Sequence, residues 1–195
     1  MIELQNQTET DTQETAPFPN IVDGVIIHNE FYMFKEQKLL NGLIRMQLPV
    51  TFFAMPEGVV KMKYSGAQTP NLVVTNEDGT INIIHSVLDN VATDQPVEKV
   101  VDQIKSLLKR ANPSINILET NNLEISGYPA SSMEYVSPSM DSIIYNLCAY
   151  IRTKNQLIII GFNLPSEQSD AWKSVISQML NSICIDFSLS QFKEF

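Results

Sequence analysis

The sequence predicts a fold of the α+β class, in which a single antiparallel sheet of about six to seven strands packs with two main amphipathic helices. Two observations predict it. Several short strand-like segments are joined by connections too short for the crossovers that parallel strands require. Two longer segments repeat apolar residues at the spacing of a helix. With 195 residues, of which 44% are hydrophobic and 18% charged, the chain can bury one core without disulfides or a metal.

Two hairpins are predicted in the first half of the chain. Their strands are residues 31–35 and 43–48, then 72–75 and 80–87. The turns between them contain Asn41-Gly42 and Asn76-Glu77-Asp78-Gly79, in which the glycines permit a positive φ. An apolar loop at residues 52–56 is predicted to follow the first hairpin, because Pro49 ends its second strand.

The first helix is predicted after Pro96, which is placed in its first turn. Its apolar stripe consists of Val97, Val100, Val101, Ile104, Leu107 and Leu108. Thr93 and Asp94 are alternative N-cap residues. Asn112-Pro113 is predicted to end the helix.

A run of antiparallel strands is predicted next. Its strands are residues 115–118, 123–125, 131–136, 143–152 and 157–162. Asn121-Asn122 and Gly127-Tyr128-Pro129 are among the predicted breaks between them. Residues 157–160 are apolar on both faces, which indicates a central strand.

The second helix is predicted to begin at Ser166 or Ser169 as the N-cap. Its buried stripe consists of Trp172, Val175, Ile176, Met179, Leu180 and Ile183. The spacing of these residues is that of one helix face packed on a core.

The strand at residues 143–152 has two different faces. The first face carries Ile143, Tyr145, Leu147, Ala149 and Ile151, and the second face carries Ile144, Asn146, Cys148, Tyr150 and Arg152. The first face is predicted to lie in the core. The second face mixes polar and apolar groups, so it is either capped by the N-terminal segment, which is the preferred interpretation, or partly open as a docking groove.

The predicted domain organisation is an acidic disordered tail at residues 1–20, one α+β domain at residues 21–187, and a short C-terminal tail at residues 188–195. The 13 basic and 22 acidic residues give a net charge of -9, which argues against nucleic acid as a partner. No segment is apolar enough to predict membrane insertion. Cys148 and Cys184 are predicted to be free thiols, so a cytoplasmic location is expected.

The sequence predicts no catalytic, cofactor-binding or metal-ligating residue, because it contains none of the common catalytic or phosphate-binding motifs. His85 alternates with apolar residues and is expected in the core, while His28 lies in a segment without a clear assignment. The turn Asn76-Glu77-Asp78 lacks the spacing of a calcium loop. Glu98 and Asp102 are expected on the solvated side of the first helix.

Several short segments resemble an uncharacterised bacterial family that is similar to the PsbP-like superfamily, which also contains the Ran-release factor and DcrB-like proteins. They are Leu48-Pro49 through Met55-Pro56, Lys63-Tyr64, Pro70, Thr75-Asn76-Glu77-Asp78-Gly79, Asn112-Pro113, Ser137-Pro138 and Trp172. The resemblance covers about residues 25 to 185. It implies an antiparallel sheet between helices and a non-enzymatic protein that binds other proteins. The resemblance transfers no catalytic residue. The chain also departs from the family's pattern, which has Tyr-Pro-Ser and an arginine before the second proline, whereas this sequence has Tyr64-Ser65-Gly66 and Thr69-Pro70.

Three functions follow as hypotheses. The first is a non-enzymatic cytoplasmic adaptor that binds another protein and needs no cofactor, including a role as accessory or chaperone for secreted effectors. The second is an enzyme or small-ligand-binding protein with a pocket between sheet and helix. The third is a monomer that associates weakly into a homo-oligomer through its sheet edges.

Overall fold

The computed structural model describes residues 20–65, 69–89 and 95–187. The predicted acidic tail up to residue 19, the alternative cap residues Thr93 and Asp94, and the predicted C-terminal tail at residues 188–195 lie outside the described residues.

The N-terminal part forms a hairpin and a small sheet. The hairpin pairs β1 (Val25–Ile27) with β2 (Glu30–Tyr32). The small sheet contains β3 (Phe34–Leu39), β4 (Ile44–Pro49) and, from the far end of the chain, β12 (Cys184–Ile185), in the order β12-β4-β3. The predicted turn is confirmed, since Asn41 and Gly42 both have a positive φ. A small sheet separate from the main one was not predicted, because the sequence indicates strands but not their partners.

The main sheet is antiparallel and has seven strands in the order β5-β6-β7-β11-β10-β9-β8. The strands are β5 (Phe53–Ala54), β6 (Leu72–Thr75), β7 (Asn82–Asp89), β8 (Asn116–Ile125), β9 (Tyr128–Pro138), β10 (Ile143–Arg152) and β11 (Gln156–Pro165). The predicted antiparallel sheet is confirmed, and β11 is its central strand.

One predicted strand break is wrong. Asn121 and Asn122 lie inside β8, where they pair with Ser132 and Ser131 of β9. The turn follows at Ser126 and Gly127, which both have a positive φ. Pairing along β9 therefore overrides the turn preference of asparagine.

The described residues contain three α-helices, one more than predicted: α1 (Glu57–Lys63), α2 (Val97–Ala111) and α3 (Ser169–Asn181). Helix α1 was missed because it has only seven residues and contains the β-branched pair Val59-Val60. Within the described parts of the chain, no helix is long and apolar enough to cross a membrane.

The predicted helix caps differ from the observed ones. Pro96 occupies the N-cap position of α2, and its carbonyl accepts from the amides of Lys99 and Val100. A short 3-10 turn precedes α3, so Gln168 takes the N-cap position there. The Ser169 hydroxyl donates to the carbonyl of Ser166, and Ser169 is the first residue of the helix rather than its N-cap.

The first face of β10 lies in the main core, as predicted, except for Ile143 at the start of the strand, which is 55% exposed. Tyr145, Leu147, Ala149 and Ile151 belong to the same buried cluster as residues of α3 and β4. The buried stripe of α3 is also confirmed: Trp172, Val175, Ile176, Met179, Leu180 and Ile183 are all buried. The rings of Tyr32 and Phe52 pack against Trp172.

The second face of the sheet is not covered as expected. The described N-terminal strands lie on the first face, because the apolar residues of β4 are buried there. Helix α2 covers one end of the second face, where Val97 and Val101 pack with Met133, Tyr150 and Leu157. Capping by the N-terminal strands is therefore wrong for the described residues.

Candidate functional site

The other end of the second face forms a surface cleft of about 450 Å³ next to the end of α1. We call it the amide cleft, because three asparagines form its floor. It is lined by Lys63, Tyr64, Gly79, Thr80, Asn82, Ser137, Pro138, Ser139, Ser142, Ile144, Asn146, Asn163 and Pro165. None of these lining residues is acidic, although the chain has 22 Asp and Glu residues.

The floor is a row of amide side chains on three neighbouring strands. Asn163 of β11 stands directly opposite Asn82 of β7 on one side and Asn146 of β10 on the other. Asn82 and Asn146 are 3% and 5% exposed. Asparagine is unfavourable in strands, and a buried amide costs free energy unless it is hydrogen-bonded. Three asparagines in one row are therefore not explained by packing.

Hydrogen bonds hold the amides of the row in two groups, one with Asn163 and Asn146 and the other with Asn82. Asn163 Nδ2 donates to Asn146 Oδ1 at 2.6 Å. Asn146 Nδ2 in turn contacts the Ser137 hydroxyl at 3.1 Å and the carbonyl of Ile144 at 3.0 Å. At the other end, the Thr75 hydroxyl donates to Asn82 Oδ1 at 3.0 Å. These hydrogen bonds hold the amides in fixed positions along the cleft.

Lys63 places a cation above one end of the row. Its Nζ donates to the carbonyl of Gly79 at 2.7 Å and contacts Asn82 Oδ1 at 3.3 Å. Both acceptors are neutral, and partial burial lowers the pKa of Lys63. Among the described residues, no carboxylate forms an ion pair with this ammonium.

Tyr64 adds a hydroxyl to the same wall. Its oxygen is buried and has no hydrogen-bond partner within the described part of the chain. Burial raises the pKa of Tyr64 to about 12, so it stays a neutral phenol near neutral pH. The cleft therefore offers one cation and several neutral polar groups.

Two turns form the rim of the cleft. One is the β6–β7 turn, which ends at Gly79 and Thr80, and the other is the β9–β10 turn at residues 139–142. Gly79 has a φ of 68°, so its backbone conformation is one that other residues rarely adopt. The sequence places Asp78 and Asp141 in these turns.

Between the amide cleft and α2, the second face carries a thiol among tyrosines. The Cys148 side chain hydrogen-bonds with the hydroxyls of Tyr135 and Tyr150, and burial raises the pKa of Cys148 to about 11. A thiol with so high a pKa is unreactive near neutral pH. Cys184 is also a free thiol, and it accepts a contact from Arg45 at 3.1 Å.

The two histidines are not brought together. His85 is fully buried on the first face, with Nε2 at 3.4 Å from the Met46 sulfur, and burial lowers its pKa to about 4. This position confirms the expectation of a core residue. His28 lies in the exposed turn of the first hairpin with a φ of 49°.

The turn Asn76-Glu77-Asp78 is explained by its own hydrogen bonds. Asn76 Oδ1 accepts from the backbone amides of Thr80 and Ile81, both at 2.9 Å. In the described ranges, no group of three His, Cys, Asp or Glu side chains is placed to hold a metal ion. The sequence-based interpretation of this segment as a turn is therefore confirmed.

A larger cavity of about 730 Å³ lies at the far end of the sheet, with Asp89, Tyr128, Gln156 and Phe187 among its lining residues. Two of these residues, Asp89 and Phe187, are each followed in the chain by a segment outside the described residues. No role is assigned to it for this reason.

Sequence reasoning placed two residues of the amide cleft, Ile144 and Asn146, on the mixed second face. Lys63 was named only among the segments that carry the family resemblance, and Asn82 and Asn163 were not singled out. The available signal was asparagine at strand positions that share a face with apolar residues.

Comparisons with known proteins bear on the fold. No model of a protein family matches the chain, and no curated protein matches it. The cyanobacterial PsbP protein of Synechocystis is similar in structure, with a TM-score of 0.60 at 12% sequence identity over 78% of this chain and 92% of that chain. LpqN of Mycobacterium tuberculosis, which is described as involved in cell envelope biogenesis, is similar with a TM-score of 0.53 at 11% identity over 87% of this chain and 99% of that chain.

These identities are too low to transfer a function, but the similarity covers most of each chain. It agrees with the antiparallel sheet and helices described above. The chain has the PsbP-like fold.

Proposed function

We propose that the chain is a non-enzymatic protein that binds another protein, with the amide cleft as its binding surface. The observation that carries the proposal is the row of Asn82, Asn163 and Asn146 on the floor of a surface cleft. Asn163 is the partly exposed member of the row, and a polar side chain that its neighbours hold in place is suited to bind a polar group of a partner.

The chemistry of the cleft supports binding over catalysis. Its titratable groups are Lys63, which contacts only neutral oxygens, and Tyr64, whose pKa is raised to about 12. A general acid or base works best with a pKa near the operating pH. His85 is enclosed on the opposite face of the sheet and does not reach the cleft.

A cytoplasmic location belongs to the same proposal. The free thiols of Cys148 and Cys184 support it, because such thiols are stable in a reducing compartment. The fold-level resemblance also supports a role as an accessory or chaperone for secreted effectors, but only as analogy. In that case the bound protein would be a secreted one.

A small-molecule ligand is the second candidate. It is favoured by one observation: the cleft lies between α1 and the sheet, and several polar groups line it. A volume of about 450 Å³ is also within the usual range of small-molecule sites.

The test compares capture of native proteins by the full chain and two variants. Ser142→Trp puts an indole on the exposed rim of the cleft, and Lys109→Trp puts the same group on the exposed side of α2 as a matched control. The proposal predicts a partner that is captured by the unmodified chain and the control but is lost with Ser142→Trp.

Equal capture by all three proteins would contradict the cleft as the binding surface. Absence of a protein partner, together with thermal stabilisation by a metabolite that Ser142→Trp abolishes, would favour the second candidate.

A further inference from the structure

We propose that the amide cleft recognises the C-terminal carboxylate of its protein partner. This inference rests on the proposed function and adds the chemistry of the group that is bound. It is drawn from the position of Lys63, the unused hydrogen-bonding capacity of the cleft, and the dimensions of the cleft.

Lys63 is positioned as a receptor for an anion. An ammonium has three N–H donors, and two of them point to the Gly79 carbonyl and to Asn82 Oδ1. These contacts fix the cation without neutralising it. The third donor is therefore available for an oxygen anion from outside the chain.

The neighbouring lysine shows the contrast. Lys61, two residues earlier in α1, forms an ion pair with Glu57 at 2.6 Å on the exposed side of the helix. Lys63 has no such ion pair, and the two acceptors that hold its ammonium are neutral oxygens. Lys63 lacks a negatively charged partner, and a carboxylate would supply one.

The amide row complements the main chain next to such a carboxylate. Asn163 uses one of its two N–H groups on Asn146 Oδ1, and the other can donate to a peptide carbonyl. The Tyr64 hydroxyl has no partner among the described residues. A peptide end presents both chemistries, since its carboxylate follows directly on amide groups.

The dimensions accommodate a chain end. The cleft holds about 450 Å³, and the turns at Gly79-Thr80 and at residues 139–142 form its rim. A space of this size holds the last residues of a peptide, and the terminal carboxylate is the group that distinguishes such an end from an internal segment. Capture of a terminal carboxylate is an established mode of peptide recognition.

The test uses the full chain and an array of random-sequence peptides, each made with a free C-terminal carboxylate and again with a C-terminal amide. The inference predicts binding to free-acid peptides. Amidation and Lys63→Met are each expected to weaken it by about tenfold or more, because a hydrogen bond to a charged group is lost. Lys61→Met is the matched control and is expected to change affinity by less than about twofold, since exposed ion pairs contribute little.

Three results would overturn the inference: no binding to any free-acid peptide, equal binding of acid and amide forms, or binding that follows internal Asp or Glu residues. If a native partner is still captured through the cleft rim and Lys63→Met leaves that capture unchanged, only the carboxylate inference falls. If nothing is captured through the cleft, the proposed function falls as well.

Discussion

The substitution Asn146→Ala tests the hydrogen bonds that Asn146 and Asn163 form at one end of the amide row. Asn146 is 5% exposed. Its side chain contacts Asn163 at 2.6 Å, the Ile144 carbonyl at 3.0 Å and the Ser137 hydroxyl at 3.1 Å. Alanine removes all three contacts and leaves the Ile144 and Asn163 groups without these partners.

The expected loss follows from these contacts. Each net hydrogen bond contributes about 0.5–1.5 kcal/mol, so three predict a loss of about 2–4 kcal/mol in the free energy of unfolding. For a domain of this size, that loss lowers Tm by about 5–15 °C. Ser137→Ala removes one half-buried acceptor and is expected to cost less than about 1 kcal/mol.

Urea unfolding measures both values. The fluorescence of Trp172 reports the transition, because it is the single tryptophan of the chain and is 1% exposed. If Asn146→Ala costs no more than Ser137→Ala, the contacts of Asn146 with Asn163 and Ile144 do not stabilise the fold as described here.

A paired substitution separates stability from binding. Replacing both partners of a buried hydrogen bond by apolar groups of similar shape can be nearly neutral. The double variant Asn146→Leu, Asn163→Leu is therefore expected to unfold within about 1 kcal/mol of the unmodified chain and to lose partner binding. Retained binding in a stable double variant would show that the amides do not recognise the partner.

Three further predictions concern the rest of the fold. Burial lowers the pKa of His85 to about 4, so between about pH 6.5 and pH 4 the unfolded chain takes up a proton that the folded chain does not. The free energy of unfolding should therefore fall by about 2 kcal/mol from pH 7 to pH 5. In urea titrations, His85→Leu should lack this part of the pH dependence. Tyr145 donates to Glu134 at 2.7 Å and is 1% exposed, so Tyr145→Phe should cost about 2 kcal/mol in urea unfolding, whereas Lys173→Met, at the exposed end of the same contact, should cost less than about 1 kcal/mol. Gly79→Ala should lower the free energy of unfolding by about 1–2 kcal/mol, because alanine is strained at a φ of 68°. Its Cβ would meet nothing within 4 Å, so the cost is one of backbone conformation. An unchanged urea unfolding curve would contradict the turn geometry.

Elements that depend on local pattern were predictable from the sequence. The strand at residues 143–152 was predicted with its observed bounds, Ile143–Arg152. The buried stripe of α3 and the turn before Gly79 were also predicted correctly. In each case, the periodicity or turn chemistry lies within about one element of chain.

Features that depend on tertiary pairing were not predictable. Asn121 and Asn122 have the chemistry of a turn, yet β9 holds them in a strand. The amide cleft depends on Asn82, Asn146 and Asn163 meeting in register on three strands. Only Asn146 and Asn163 lie on strands consecutive in the chain, so no local pattern reveals the row.

The most direct test of the central claim places a photo-crosslinking amino acid at the cleft and, as a control, away from it. Ser139 on the rim and Lys109 on α2 are both exposed. The crosslinking amino acid replaces one or the other of them, and the chain is expressed in its native cells. The account predicts one dominant crosslinked protein from position 139 and none from position 109. No crosslinked protein at position 139, or the same pattern from both positions, would contradict the amide cleft as the protein-binding surface.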